Sequence, residues 1–146
     1  MNEADKIEKI LKNYPLLRSE LNMSVISMEY AEIPLDGVDY SKPSVSKTNE
    51  IHSDIEQYIE NISEIEEETR ELMKIVKAIE SALDCLYQKE LQVIRYKFFE
   101  GMTYVEIELK MDRSKSTLQK YKNNAIKKLK KVNLHEIYCK TNRKLT

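Results

Sequence analysis

Residues 91–129 read LQVIRYKFFEGMTYVEIELKMDRSKSTLQKYKNNAIKKL, and the punctuation of this stretch sets the fold. Together with its flanks it predicts three short helices over 88–131. In the first, roughly 88–100, Leu91, Ile94, Phe98 and Phe99 form the apolar face. Gly101 stops it, since glycine enters the left-handed region without a steric penalty. Thr103-Tyr104-Val105-Glu106 is a capping box that opens the second helix: the hydroxyl accepts from the Glu106 amide and the carboxylate from the Thr103 amide. Ile107 and Met111 point inward. Asp112 and Arg113 make the turn, Asp being tolerant of the left-handed backbone that a tight helix–helix turn needs. Ser114 caps the third helix, whose inward residues are Leu118, Tyr121, Ala125, Ile126 and Leu129. A short helix, a tight turn and a longer basic helix make the helix-turn-helix pattern. In it the last helix keeps one apolar face inward and projects polar side chains from its N-terminal turns into a DNA major groove.

Charge divides the chain at the same place. Residues 1–88 hold 9 Lys and Arg against 19 Asp and Glu, a balance of −10, whereas residues 89–146 hold 15 against 6, a balance of +9. Eight basic residues and no acid fall within 113–131. A division this strong points to two parts with different partners. The whole chain of 146 residues is 34% charged and 41% hydrophobic, with two glycines and three prolines. So few turn residues favour long helices over a multi-stranded sheet. No stretch approaches the roughly 18 uncharged apolar residues of a membrane span, and the acidic start lacks the apolar core of a secretory signal. With Cys85 and Cys139 as its two cysteines, the chain is expected to carry free thiols in a reducing cytoplasm.

N-terminal to the basic part, residues 1–86 read as an acidic helical arm. Ile7, Ile10, Tyr14, Leu17, Leu21 and Met28 keep a 3-4 spacing over residues 3–30, with Ser24 the only polar entry in phase, a break or kink expected near Asn13-Tyr14, and Pro15 opening a second helix. Residues 31–49, with Pro34, Gly37 and Pro43, form a linker. Then Ile51, Ile55, Tyr58, Ile62, Ile65, Thr69, Leu72, Val76, Ile79, Leu83 and Leu86 alternate steps of four and three without a slip. This is a coiled-coil seam, buried against helix 3–30, against a second copy, or against both. Residues 132–146 are a tail that continues the last helix or frays. The expected architecture is therefore all-α: a helical hairpin or coiled-coil arm followed by a helix-turn-helix domain.

The segment 91–129 resembles the fourth conserved region of sigma factors. The matching residues are Gly101, Met102, Thr103, Glu106, Ile107, Ser114, Leu118, Tyr121, Ala125, Ile126 and Leu129, in register without a gap. The departure is Asp112, where that family usually has Gly. An acidic arm joined to one such unit is also similar to small phage regulators of the RinA and ArpU type. The resemblance implies sequence-specific binding to double-stranded DNA and activation of phage late genes, with RNA polymerase as a second partner. By position it makes Lys115, Ser116 and Gln119 base-reading residues, and helical geometry adds Lys120 and Asn123. Arg113, Lys122, Lys127 and Lys128 are expected on phosphates. The seam residues Ile55, Tyr58, Ile62, Ile65, Leu72, Val76, Ile79 and Leu83 are expected to support a homodimer. A small terminase subunit and a polymerase-binding adaptor or anti-activator are the alternatives.

The remaining chemistry-bearing residues are expected to be structural. His52 and His135 have no partner at metal-ligand spacing and read as surface residues. Cys85 reads as a small core residue beside the seam and Cys139 as exposed, while Tyr58 and Tyr121 read as core. No nucleophile–base pair, glycine-rich phosphate loop or carboxylate pair stands out, so no enzymatic activity, metal or cofactor is expected.

Overall fold

The computed structural model describes the backbone of residues 1–32 and 48–145 and the side chains of residues 1–29 and 63–143. The protein is all-α, with no strand among the described residues. The helices are α1 (Glu3–Glu32), α2 (Thr48–Leu83), α3 (Gln88–Ile94), α4 (Tyr104–Met111), α5 (Lys115–Lys131) and α6 (Tyr138–Leu145). A π-helical turn, Arg95–Phe99, continues α3, and a 3₁₀ turn, Leu134–Ile137, precedes α6. Two compact units emerge: residues 1–18 with 74–146, and residues 19–73. No described helix is long and apolar enough to cross a membrane.

The first unit holds the basic helices, and its core begins with the arm. On α1, Ile7, Ile10, Leu11, Tyr14 and Leu17 are buried. The expected division at Pro15 does not occur; the helix runs through it. Proline removes one backbone hydrogen bond and crowds the preceding turn, at about 3 kcal/mol. Buried Tyr14 and Leu17 flank the proline, and each such side chain contributes roughly 1.5–3 kcal/mol when removed from water. Tertiary burial therefore outweighs the local defect.

The end of α2 answers that stripe. Ile75, Val76, Ile79, Ala82, Leu83 and Leu86 are buried. Ile75 and Ala82 lie outside the 3-4 seam, so the apolar stripe is wider here than a two-stranded seam and matches a helix in a globular core. Tyr14 ties the two helices together. Its hydroxyl donates to Glu80 Oε1 at 2.7 Å and accepts from Arg18 Nη1 at 3.0 Å, while its ring lies 4.8 Å from that of Phe99. Burial, reinforced by the Glu80 carboxylate, pushes the Tyr14 phenol above its ordinary value of 10.0.

The seam's ownership follows. Val76, Ile79 and Leu83 are buried within the single chain and form an intramolecular core, not a free dimer face. In the second unit Leu72 and Thr69 are buried too, and Ile65 is half-buried. The Thr69 hydroxyl, the one polar entry in the seam, donates to the Ile65 carbonyl at 2.7 Å and so enters the core satisfied. The side chains of Ile55, Tyr58, Ile62 and His52 lie outside the described residues, as does most of the expected linker 31–49.

Two other expectations are corrected. Cys85 is exposed: it lies just past the end of α2, off the apolar stripe that buried Leu83 and Leu86 continue. The tail is ordered helix: Asn133 takes a left-handed conformation (φ 60°), and Leu134 and Thr141 are buried.

Replacing Pro15 by Ala should restore a helical N–H and raise stability by about 1–3 kcal/mol in urea denaturation. Tyr14→Phe should lower stability by about 1 kcal/mol, since Glu80 and Arg18 keep each other. The Tyr14 phenol titrates higher in the folded chain than in the unfolded one. Its contribution is thus complete below pH 10 and lost as pH rises through the folded value, so the melting temperature should fall above about pH 10, less steeply in Tyr14→Phe.

Candidate nucleic-acid interface

The short helices form because each end is closed by its own residues. Gly101 (φ +66°) follows Glu100, whose amide donates to the Arg95 carbonyl at 3.0 Å. Met102 N–H then closes on the Tyr96 carbonyl at 2.9 Å. That bond reaches one residue further back than in a Schellman end, because the preceding turn is π. Thr103 and Glu106 exchange both capping-box bonds, at 3.1 and 3.3 Å. Asp112 is left-handed (φ 52°, ψ 49°), as expected, and Ser114 Oγ accepts from Thr117 N–H at 3.4 Å. Three residues, Asp112 to Ser114, thus join α4 to α5.

Val93 of α3, Ile107 of α4 and Leu118 of α5 are fully buried against one another. Tyr96, Met102, Tyr104, Met111 and Tyr121 pack around them. Val93 was not among the expected core residues, and Leu91 is only half-buried. Ala125, Ile126 and Leu129 continue the buried face of α5.

The opposite face of α5 is solvent-exposed along its length. Lys115, Ser116, Gln119, Lys120 and Asn123, the five expected base-reading residues, are all exposed. Lys127, Lys130 and Lys131 extend the face, and α5 has no acidic residue. Arg113 is exposed in the turn. Lys115 Nζ lies 5.7 Å from the Tyr104 ring centre, at the outer edge of a cation–π contact. The structure therefore brings Arg113, Lys115, Ser116, Gln119, Lys120, Asn123 and Lys127 onto one accessible surface.

Lys122 and Lys128, also expected on phosphates, are placed differently. Lys122 Nζ sits 3.2 Å from Glu8 Oε1 of α1. Burial lowers its pKa, but the Glu8 carboxylate, with Tyr104 beside it, reverses this, and the net shift is upward from 10.5. Lys128 Nζ is 2.6 Å from Glu90 Oε1 and 3.3 Å from the centre of the Tyr87 ring. Glu90 is 4% exposed, and its carboxylate also accepts from Tyr87 N–H at 2.9 Å. These two lysines hold α1 and α3 against α5. Lys122 falls in the inward 3-4 register of Leu118, Ala125, Ile126 and Leu129, a signal that sets it apart from the solvent-facing lysines; what the sequence hides is the partner, since the two carboxylates lie 114 and 38 residues away.

His135, expected at the surface, is mostly covered: its Nδ1 is buried without a partner and its Nε2 lies 3.7 Å from Glu3. Two large apolar side chains do face solvent on α4, Val105 at 67% and Leu109 at 83% exposure. Among the described residues no group of His, Cys, Asp and Glu is arranged to hold a metal ion.

Fold and surface define an all-helical protein whose basic, acid-free helix is presented by two short capped helices. The chain belongs to the family described as Protein of unknown function (DUF722), whose model matches residues 3–131. Over 71 residues it is 39% identical to bacteriocin UviA of Clostridium perfringens, a stretch covering 47% of this chain and 38% of that protein. The chain thus matches well under two thirds of that relative's length. No solved structure matches.

Lys128→Met should strand the buried Glu90 carboxylate and cost about 3–5 kcal/mol in denaturant unfolding. The exposed Lys120→Met should change stability by less than about 0.5 kcal/mol.

Proposed function

We propose that the protein is a sequence-specific double-stranded DNA-binding regulator of transcription, with 103–131 acting as a helix-turn-helix and α5 as its reading helix. The observation that carries this reading is the exposed face of α5, where five polar residues of the first turns lead into lysines with no acid among them. Lys115 and Gln119 suit guanine and adenine edges, and Ser116, Lys120 and Asn123 lie beside them. Arg113 and Lys127 flank this set and suit phosphates, which position the helix without selecting sequence. The likeness of 91–129 to the fourth region of sigma factors supports a role beside RNA polymerase, and its pairing with an acidic arm supports activation of phage late genes. A dimer would read half-sites about 34 Å apart or a multiple of it.

A second reading has its own support. Val105 and Leu109 expose an apolar patch on α4, which suits an adaptor that contacts protein through this unit.

Binding to a pool of random duplexes over a salt series, followed by sequencing of the retained DNA, tests the proposal. Enrichment of one motif with a steep negative salt slope is the expected outcome. Retention of none at any salt concentration would sink it. Gln119→Ala should relax preference at one position by about 1–3 kcal/mol. Arg113→Ala should weaken binding to all sequences and flatten the salt slope by about one unit.

A further inference from the structure

A second basic surface lies at the far end of α5. A groove of about 550 Å³ opens between the start of α3 and the last turns of α5, walled by Tyr87 and Tyr121. Its rim carries Lys89, Lys127 and Lys131, all exposed and none paired with a carboxylate among the described residues. The one acid in the lining, Glu90, is already taken by Lys128. The groove is therefore net positive with aromatic walls. Lys131 follows Gln119 by twelve residues, about 18 Å along the helix, so the groove lies well beyond the base-reading turns.

We infer that this groove is a self-association surface that takes the acidic face of α2 from a second copy of the chain. Charge complementarity selects the occupant. On α2, Glu64, Glu67 and Glu68 are exposed and share one helix face, which flanks the stripe of Ile65, Thr69 and Leu72. That face offers carboxylates on flexible stems that can pack along Tyr87 and Tyr121 while reaching Lys89 and Lys131. The seam cannot serve the same purpose where it is described, because Leu72, Val76, Ile79 and Leu83 are buried within their own chain. Each copy owns one groove and one acidic face, so two copies carry complementary surfaces for each other. Lys127 is the one rim residue shared with the proposed DNA contacts; Lys89 and Lys131 belong to neither the base-reading nor the phosphate set, so the inference can be tested apart from DNA binding.

Sedimentation equilibrium of the full chain at low and high salt tests it, with two charge-reversed variants. Lys89→Glu with Lys131→Glu reverses the groove, and Glu64→Lys with Glu68→Lys reverses the arm. All four positions are exposed, and circular dichroism should show unchanged helicity. The wild type should dimerise at low salt and dissociate as salt rises. Each variant alone should associate roughly 10- to 100-fold more weakly, as expected for two or three partly desolvated ion pairs. An equimolar mixture of the two variants should recover the dimer, because each reversed surface then meets its complement. A wild type that stays monomeric at low salt overturns the inference. So does a dimer that neither salt nor reversal weakens, or a mixture that recovers nothing. A groove reversal that lowers affinity for duplex DNA and leaves self-association unchanged assigns the groove to phosphates instead.

Discussion

A buried carboxylate must find partners, and Glu90 finds them on two elements at once. Its oxygen takes the Tyr87 amide at the start of α3 and the Lys128 ammonium near the end of α5. Leaving such a charge unpaired costs several kcal/mol, so the crossing of these two helices is held by an electrostatic requirement as well as by packing. Once α3 is fixed on α5, Val93 reaches Leu118, and α4 completes the contact with its fully buried Ile107, flanked by Tyr104 and Met111. The orientation of α5 about its own axis follows, and with it the choice of side chains that meet solvent.

The arm secures the opposite flank of α5. Glu8 engages Lys122, and Glu3 lies within 3.7 Å of both Lys130 and His135. The acidity of the first helix is thus partly spent inside its own unit, neutralising basic residues that would otherwise repel one another along α5. This divides the lysines of α5 into two populations with different work. Lys122 and Lys128 hold neighbouring helices, and Lys115, Lys120 and Lys127 face water. The large charge imbalance between the two parts of the chain is smaller in space than it is along the sequence.

Local chemistry was the legible layer. The Thr103–Glu106 box, the Ser114 cap, the stop at Gly101 and the left-handed Asp112 are each determined within a few residues, and all four appear as expected. The apolar period placed α1, α2 and α5 and most of their buried faces. What periodicity lacks is the identity of the neighbour. It could not say that the α2 seam is covered by its own chain from Leu72 to Leu83, nor that Glu8 reaches Lys122. It overrated Pro15, because a local rule met a buried stripe on both sides. Cys85 is exposed because it lies off the register that Leu83 and Leu86 keep, and being next to a seam residue does not bury it. The exposed stripe of the candidate interface was readable, and so was the inward register of Lys122; the partners of Lys122 and Lys128 were not.

The π turn at Arg95–Phe99 bears on how such a chain can change length. A π turn holds one residue more than the α-helical spacing it replaces, so each side chain beyond it is displaced by about 100° around the axis. Phe98 is buried and the Phe99 ring meets that of Tyr14 at the end of this turn. A one-residue deletion within 95–99 would leave a regular helix yet rotate those rings out of contact. This turn is therefore a place where insertion and deletion are not interchangeable. The extra residue acts as a spacer that sets Phe99 against Tyr14 within the first unit.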